Sequence, residues 1–189
     1  MSNSLTIKKK IKNFKKSITV SGDKSISIRW VLFSSLANGV SRSQNLLRSE
    51  DVLAAITAVK KLGIKVNLTK KNCTKYGKGI NGYNYKNNLQ INAKNSGTLG
   101  RLILGLLVNS TKNIKLTGDK SLSKRDFKRI ADPLSKFGVK FKLKNKKTLP
   151  LKMIGSANLK PIKYFEKKGS AQCKSSVIFA GIKANGTTF

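Results

Sequence analysis

The sequence predicts an α/β fold built from a repeated βαβαββ unit, and three observations predict it. A single pattern occurs three times at a spacing of about 73 residues: an extended run, a polar Gly/Ser turn, and a helical apolar run closing near Asn-Gly or Asn-Ser. Between those marks, helical and strand periodicities alternate, which is the order expected of an α/β chain. An apolar fraction of 39%, with eight Phe and one Trp, is enough to build a core.

In the first copy the extended run is Ile18-Thr19-Val20, the turn Ser21-Gly22-Asp23-Lys24-Ser25, and the helical run Ile26 to Ala37, closed by Asn38-Gly39. The second copy is Leu89-Gln90-Ile91, then Asn95-Ser96-Gly97-Thr98, then Leu99 to Val108, closed by Asn109-Ser110. The third is Ile162 to Phe165, then Gly169-Ser170-Ala171-Gln172, then Cys173 to Ala184, closed by Asn185-Gly186. Helix starts are therefore expected near Lys24, Gly97 and Ser170.

A second helix follows in each of the first two units. Glu50 to Leu62 places Val52, Leu53, Ile56, Val59 and Leu62 on one inward stripe, with Ser49 as N-cap and Gly63 as stop. Ser123 to Phe137 does the same with Phe127, Ile130, Ala131, Leu134 and Phe137, and Gly138 as stop. Lys65 to Thr69 and Lys140 to Lys144 alternate apolar and charged residues, as half-exposed strands do. The first helix of each unit is apolar nearly all round, so these helices are expected inside and the sheets outside, an inside-out α/β barrel. The third unit stops at Thr187-Thr188-Phe189 with no second helix, so the chain reads as a truncated piece. Residues 1–17 form a basic N-terminal segment and 18–189 the folded domain.

The charge is +33, from 40 Lys+Arg against 7 Asp+Glu. Such a balance invites a nucleic-acid partner. Only six of the cations are Arg, however, and the lysines are spread through a chain also rich in Asn and Ile. The charge is therefore expected to be diffuse, with no nucleic-acid partner, and Arg is the more telling cation because its planar fork grips carboxylate or phosphate at two points. The longest apolar runs, Trp30–Leu36 and Leu102–Val108, fall far short of the roughly 20 residues of a membrane span. No membrane partner is expected, and a cytoplasmic location is. With no His, and Cys73 and Cys173 a hundred residues apart, a His-based triad, a Cys/His zinc site and a disulfide framework are excluded. Both thiols are expected to be buried, and no metal or cofactor is expected.

Three polar turns at three helix starts suggest one anion site, since helix N-termini offer free N–H groups and a positive dipole end. Lys24 reads equally as an anion ligand or as one more solvated lysine. Arg29 lies one turn beyond Ser25 in an apolar helix, where an unpartnered cation is costly; either a bound anion or a distant carboxylate such as Asp126 would satisfy it. Asn95, Gly97 and Arg101 repeat the arrangement at the second helix. Gly118 to Arg125 echoes Gly22 to Arg29 at six of eight positions, but out of phase with the 73-residue unit, so the echo reads as shared turn chemistry. Ser170 and Gln172 add neutral donors, and Ser170 also reads as a plain cap. The seven acids each have a helix-start, surface or turn explanation, leaving no carboxylate pair for acid/base catalysis.

Gly22-Asp23-Lys24-Ser25-Ile26-Ser27-Ile28-Arg29 resembles the G-D-K-S-x-S-x-R start of the 5-enolpyruvylshikimate-3-phosphate synthase family. Asn45 to Asp51, Asn95 to Thr98 with Arg101, Leu116 to Asp119 running to Lys124-Arg125, Asp132-Pro133-Leu134, and Ser170 to Ser175 fit the same family in order. The resemblance covers the N-terminal half or less of the usual length. It implies transfer of the enolpyruvyl group of phosphoenolpyruvate to the 5-hydroxyl of shikimate 3-phosphate, within two inside-out domains of three βαβαββ units each. It further implies that Lys24, Ser25, Arg29, Ser170, Ala171 and Gln172 hold shikimate 3-phosphate. Lys24, Gly97, Arg125 and Gln172 would hold phosphoenolpyruvate, with Asn95 and Arg101 in support. The family's acid/base carboxylates belong to the second domain, so no catalytic residue is expected in this chain, which would be inactive alone; the full-length protein is expected to be a monomer. Position 28 is Ile where the family commonly has a polar residue. The sister enolpyruvyl transferase acting on UDP-N-acetylglucosamine fits less well, since it has Lys-Asn where this chain has Lys24-Ser25, and a reactive loop cysteine for which Cys73 lacks the surroundings. The rival from another class is a non-catalytic polyanion- or nucleic-acid-binding module, supported by net charge alone.

Overall fold

The computed structural model describes residues 4–6, 8–10, 13, 15–70 and 72–189. Part of the basic N-terminal segment, Lys12 included, thus lies outside the described residues. The elements run α1 (Lys24–Phe33), β1 (Asn38–Gln44), α2 (Glu50–Lys61), β2 (Lys65–Leu68), β3 (Asn72–Lys78), β4 (Leu89–Asn92), α3 (Gly97–Leu106), β5 (Ile114–Thr117), a 3-10 turn (Leu122–Lys124), α4 (Lys128–Ser135), β6 (Lys140–Lys144), β7 (Thr148–Ile154) and α5 (Ala171–Gly181). Helices α1, α3 and α5 begin at Lys24, Gly97 and Ala171, at or within one residue of the expected starts.

The two sheets carry the same repeat. One has strand order β4-β5-β7-β6, with β4 and β5 parallel and the other pairs antiparallel. The other has order β1-β3-β2, all antiparallel. It is the first arrangement without its leading strand. The missing member is the expected strand at Ile18-Thr19-Val20, which is not a strand here: Ile18 and Val20 are exposed, and the segment is held by the Asn45 side-chain amide donating to the Val20 carbonyl at 2.8 Å. The expected strand at Ile162 to Phe165 likewise does not form a ladder. It makes one parallel-type pair with the last residue, in which Tyr164 N–H donates to the Phe189 carbonyl (2.6 Å) and Phe189 N–H to the Ile162 carbonyl (3.0 Å).

Two helical expectations need correction. The helix expected over Ser123 to Phe137 is two pieces. Arg125 is extended (ψ 153°), and the Asp126 carboxylate accepts the N–H groups of Lys128 (2.9 Å) and Arg129 (3.4 Å), so the acid restarts the helix as a cap. Its inward set, Phe127, Ile130, Ala131, Leu134 and Phe137, is nonetheless buried as expected. In α2, Val52, Ile56, Val59 and Leu62 are buried but Leu53 is 39% exposed, and Ser49 sits at the N-cap without capping through its side chain. Gly63 and Gly138 close their helices at positive φ (82° and 102°), as read.

The central helices are not equally enclosed. Every residue of α3 except Arg101 is buried, because α1 and α5 flank it. The outer two leave apolar groups exposed: Ile26 and Phe33 on α1, and Ile178 on α5. Contact between α3 and α5 depends on Gly105, where a Cβ would stand 2.1 Å from the Ser176 carbonyl oxygen. Ser176 Oγ in turn donates to the Arg101 carbonyl at 3.0 Å. Between α1 and α5, Phe33 and Phe179 stack with centroids 4.2 Å apart. Thr98 near the start of α3 meets Gln172 near the start of α5, Arg29 meets Ser175 midway, and Phe33 meets Phe179 toward the ends, so α1, α3 and α5 run parallel. Their N-termini share one end of the domain.

Candidate anion-binding site

Each of the three helix starts is shaped by its own cap. Asp23 Oδ1 accepts the Ile26 N–H (2.7 Å), Ser96 Oγ the Leu99 N–H (3.2 Å) and Ser170 Oγ the Cys173 N–H (3.3 Å). Ser170 therefore acts as a helix cap, the plainer of its two readings. The echo between Gly22–Arg29 and Gly118–Arg125 is explained in the same terms. Asp119 Oδ1 accepts the Leu122 N–H at 2.7 Å, the same three-residue capping turn that Asp23 makes. It leads into a 3-10 turn rather than a helix, and so releases Arg125 in an extended conformation.

Side chains then link the helices. Among the described residues Arg29, half-buried, reaches only neutral oxygens: its Nη1 lies 3.3 Å from the Ser25 carbonyl and its Nη2 3.4 Å from Ser175 Oγ on α5. The distant carboxylate that could have satisfied it, Asp126, instead pairs with Lys147 at 3.6 Å. On the other side of α5, Gln172 bridges to α3. Its Oε1 accepts from Arg101 Nη1 (2.7 Å) and its Nε2 donates to Thr98 Oγ1 (3.1 Å). The first two turns of α5 thus touch Arg29 on one side and Arg101 on the other.

Two guanidinium groups converge over Gly97. A Cβ at that position would stand 2.7 Å from Arg101 Nη1 and 3.0 Å from Arg125 Nη1. A methyl group there would have to push both aside. Arg101 also lies over the Phe127 ring, 5.2 Å from its centroid. Burial, followed by the neighbouring Arg125 charge, pushes the Arg101 pKa down. Two like charges held together this way favour an anion between them. Arg125 is exposed, 3.4 Å from Asn95 Oδ1, and Asn95 Nδ2 donates to Asp119 Oδ2 at 2.5 Å. Those two bonds to Asp119 from Leu122 and Asn95 hold its carboxyl below its usual range.

Hydrogen bonds and close approaches thus join Ser25 and Arg29 to the first turns of α5, and through Gln172 to Arg101, Gly97, Arg125 and Asn95, in one network. Lys24 does not join it. Its Nζ lies 3.2 Å from Asp51 Oδ2 in the first turn of α2. Sequence reasoning missed Asp51 as the partner of Lys24, Thr98 as the link from α3 to Gln172, and Ser175 as the link from α5 to Arg29. All three lie in segments that fit the family, but their partners could not be read there, because each pairing depends on how helices 27 to 146 residues apart pack. Cys73 and Cys173 are both buried and free. No helix among the described residues is long and apolar enough to cross a membrane.

The comparisons with known proteins agree with one another. The family model for EPSP synthase (3-phosphoshikimate 1-carboxyvinyltransferase) matches residues 8–189. The chain is 44% identical over 173 residues to a 3-phosphoshikimate 1-carboxyvinyltransferase of Streptococcus agalactiae serotype Ia, covering 91% of this chain and 40% of that one. It is 41% identical over 181 residues to the protein of the same name from Sulfurihydrogenibium sp., covering 95% and 42%. Among solved structures, an EPSP synthase from Acinetobacter baumannii superposes with a TM-score of 0.85 at 36% identity, covering 90% of this chain and 39% of that one. The chain spans about two fifths of the length of the curated relatives it matches.

Proposed function

The chain belongs to the EPSP synthase (3-phosphoshikimate 1-carboxyvinyltransferase) family, and from that membership we propose that it provides the substrate-binding domain of an enzyme transferring an enolpyruvyl group. The acceptor is the 5-hydroxyl of shikimate 3-phosphate, the donor is phosphoenolpyruvate, and the products are 5-enolpyruvylshikimate 3-phosphate and inorganic phosphate. The reaction is a step on the route to chorismate and the aromatic amino acids.

The observation that carries this reading is the convergence of Arg101 and Arg125 over Gly97 beside Gln172, with Arg29 across α5 meeting no carboxylate among the described residues. Each substrate is a small, multiply charged anion, and charge-assisted bonds from guanidinium groups suit both. Arg29, Ser25 and the start of α5 (Ser170, Ala171, Gln172) would hold shikimate 3-phosphate. Gly97, Arg125 and Gln172 would hold phosphoenolpyruvate, with Asn95 and Arg101 fixing Arg125 and Gln172 in place. Lys24 serves both once it leaves Asp51.

Attack of the 5-hydroxyl oxygen on the substituted carbon of phosphoenolpyruvate requires a base at that hydroxyl and a proton donor at the methylene carbon. Among the described residues the acids near the surface, Asp51, Asp119 and Asp126, are each engaged by a cation or a backbone N–H. The acid/base groups would come from a second domain, and the chain alone would bind without turning over. The βαβαββ units with central helices fit the inside-out arrangement, and a monomeric cytoplasmic enzyme is the matching assembly.

Titration with shikimate 3-phosphate, followed residue by residue by amide NMR, tests the proposal. Shifts concentrated at Lys24, Ser25, Arg29 and Ser170–Gln172 are expected. Absence of shifts at those helix starts, whatever is seen at the sheet lysines, would reject it.

A further inference from the structure

The lysines are not diffuse where the chain forms its larger sheet. Among the described residues the seven strands carry nine cations and neither Asp nor Glu. On the four-stranded sheet, Ile91, Ile114, Leu116, Leu151 and Met153 face the helices and are buried. The alternate residues form the outer face. There the register sets Gln90 beside Lys115, Lys115 beside Lys152, and Lys152 beside Lys142. Three lysines thus stand abreast across three strands, about 4.8 Å apart, with Lys140 about 6.8 Å from Lys142 along its strand. Like charges directly opposite destabilise a sheet, and here nothing acidic interrupts the row.

The row leads into a hollow of about 430 Å³ lined by Asn88, Gln90, Asn113, Ile114, Lys115 and Lys152. It lies at the starting ends of β4 and β5, whereas α3 and Gly97 follow the finishing end of β4. The hollow and the anion site are therefore at opposite poles of the sheet.

We propose that this outer face binds the phosphate backbone of a nucleic acid. The side-chain chemistry selects that partner over a protein. Protein interfaces favour aromatic, Met and Arg anchors and are depleted in Lys, and the lysines of this row have no aromatic or Arg among them. Lysines act as point charges suited to phosphate, and a backbone contact needs neither base readout nor stacking. Binding is accordingly independent of sequence and steeply salt-dependent.

The test uses the 189-residue chain and a random-sequence duplex of about 20 base pairs, with affinity measured by fluorescence anisotropy across a salt series. The face variant is Lys115→Thr/Lys142→Thr/Lys152→Thr. The control, Lys8→Thr/Lys9→Thr/Lys10→Thr, removes the same charge from the N-terminal segment. The slope of log K against log[salt] should shrink by about 2.7 for the face variant, three phosphates at about 0.9 each, and by less than about 1 for the control. Because the face variant relieves like-charge opposition, its melting temperature should rise. If it nevertheless fails to fold, Lys152→Thr alone should shrink the slope by about 0.9. Equal losses in face variant and control, or no loss in either, would overturn the proposal, since binding would then follow net charge alone. Tighter binding of polyglutamate than of the duplex, with the same dependence on the face variant, would overturn the choice of partner.

Discussion

Arg101 donates to Gln172 Oε1 across 2.7 Å, and this bond ties the second turn of α3 to the first turn of α5. Two segments 71 residues apart are joined where the helix starts meet, by a cation that burial has already made costly. Gln172→Leu should therefore leave the guanidinium short of an acceptor and Thr98 Oγ1 without its donor. A loss of about 1–3 kcal/mol is expected in urea unfolding. An unchanged midpoint would mean that the bond does not hold the helices in solution.

Gly97→Ala places a methyl group where two guanidinium groups now meet. Both can swing away, since they end flexible side chains, so the fold should survive with a stability change below about 1 kcal/mol. The anion contact should not survive. Affinity for phosphoenolpyruvate, measured by calorimetry, should fall at least about tenfold, equivalent to about 1.4 kcal/mol. Binding as tight as in the parent chain would remove Gly97 from the site.

Lys24 and Asp51 make a partly exposed pair, with side-chain exposures of 53% and 19%. Such pairs contribute about 0–1 kcal/mol. Asp51→Asn should scarcely move the melting temperature, yet tighten shikimate 3-phosphate binding by freeing Lys24 of its competing anion. Weaker binding in this variant would show that Asp51 positions Lys24 rather than diverts it.

Lys75 is fully buried on β3 and donates to the Val31 carbonyl near the end of α1; burial lowers its pKa to about 7. Lys183, bonded to the Ile80 carbonyl and Asn109, is lowered to about 8. The unfolded chain keeps both protonated to about 10.5, so between pH 7 and 10 it binds more protons than the native state. Stability should therefore rise with pH through that window and be lost as pH falls toward 7. Urea midpoints at pH 7 and 9.5 check the sign. Lys75→Met should flatten the profile and stabilise the chain at pH 7 by about 1–3 kcal/mol, the usual cost of a poorly satisfied buried polar group.

Lys75 also shows where the sequence was hard to read. It occupies a core position on β3, between the buried Cys73 and Gly77, so the apolar alternation that marks a strand is absent there. The segment Asn38–Gln44 is mostly polar and opens on Asn38-Gly39, which reads as a helix stop although β1 begins at Asn38 itself. Helix starts were legible, because capping residues and glycines are local signals. The joining of α5 to both α1 and α3 was not. Only the packing of Gly105 against Ser176, and of Phe33 against Phe179, brings Gln172 and Ser175 to their arginines.

Arg29 and Arg125 carry the central claim, that the surface at the three helix starts divides two anions between two arginines. Calorimetric titration of shikimate 3-phosphate into the parent chain, Arg29→Ala and Arg125→Ala tests it most directly. Loss of a charged hydrogen bond is worth about 1.5–3 kcal/mol, so Arg29→Ala should weaken binding by at least about tenfold. Arg125→Ala should weaken it by less than about threefold. Equal affinity in all three proteins would contradict the account.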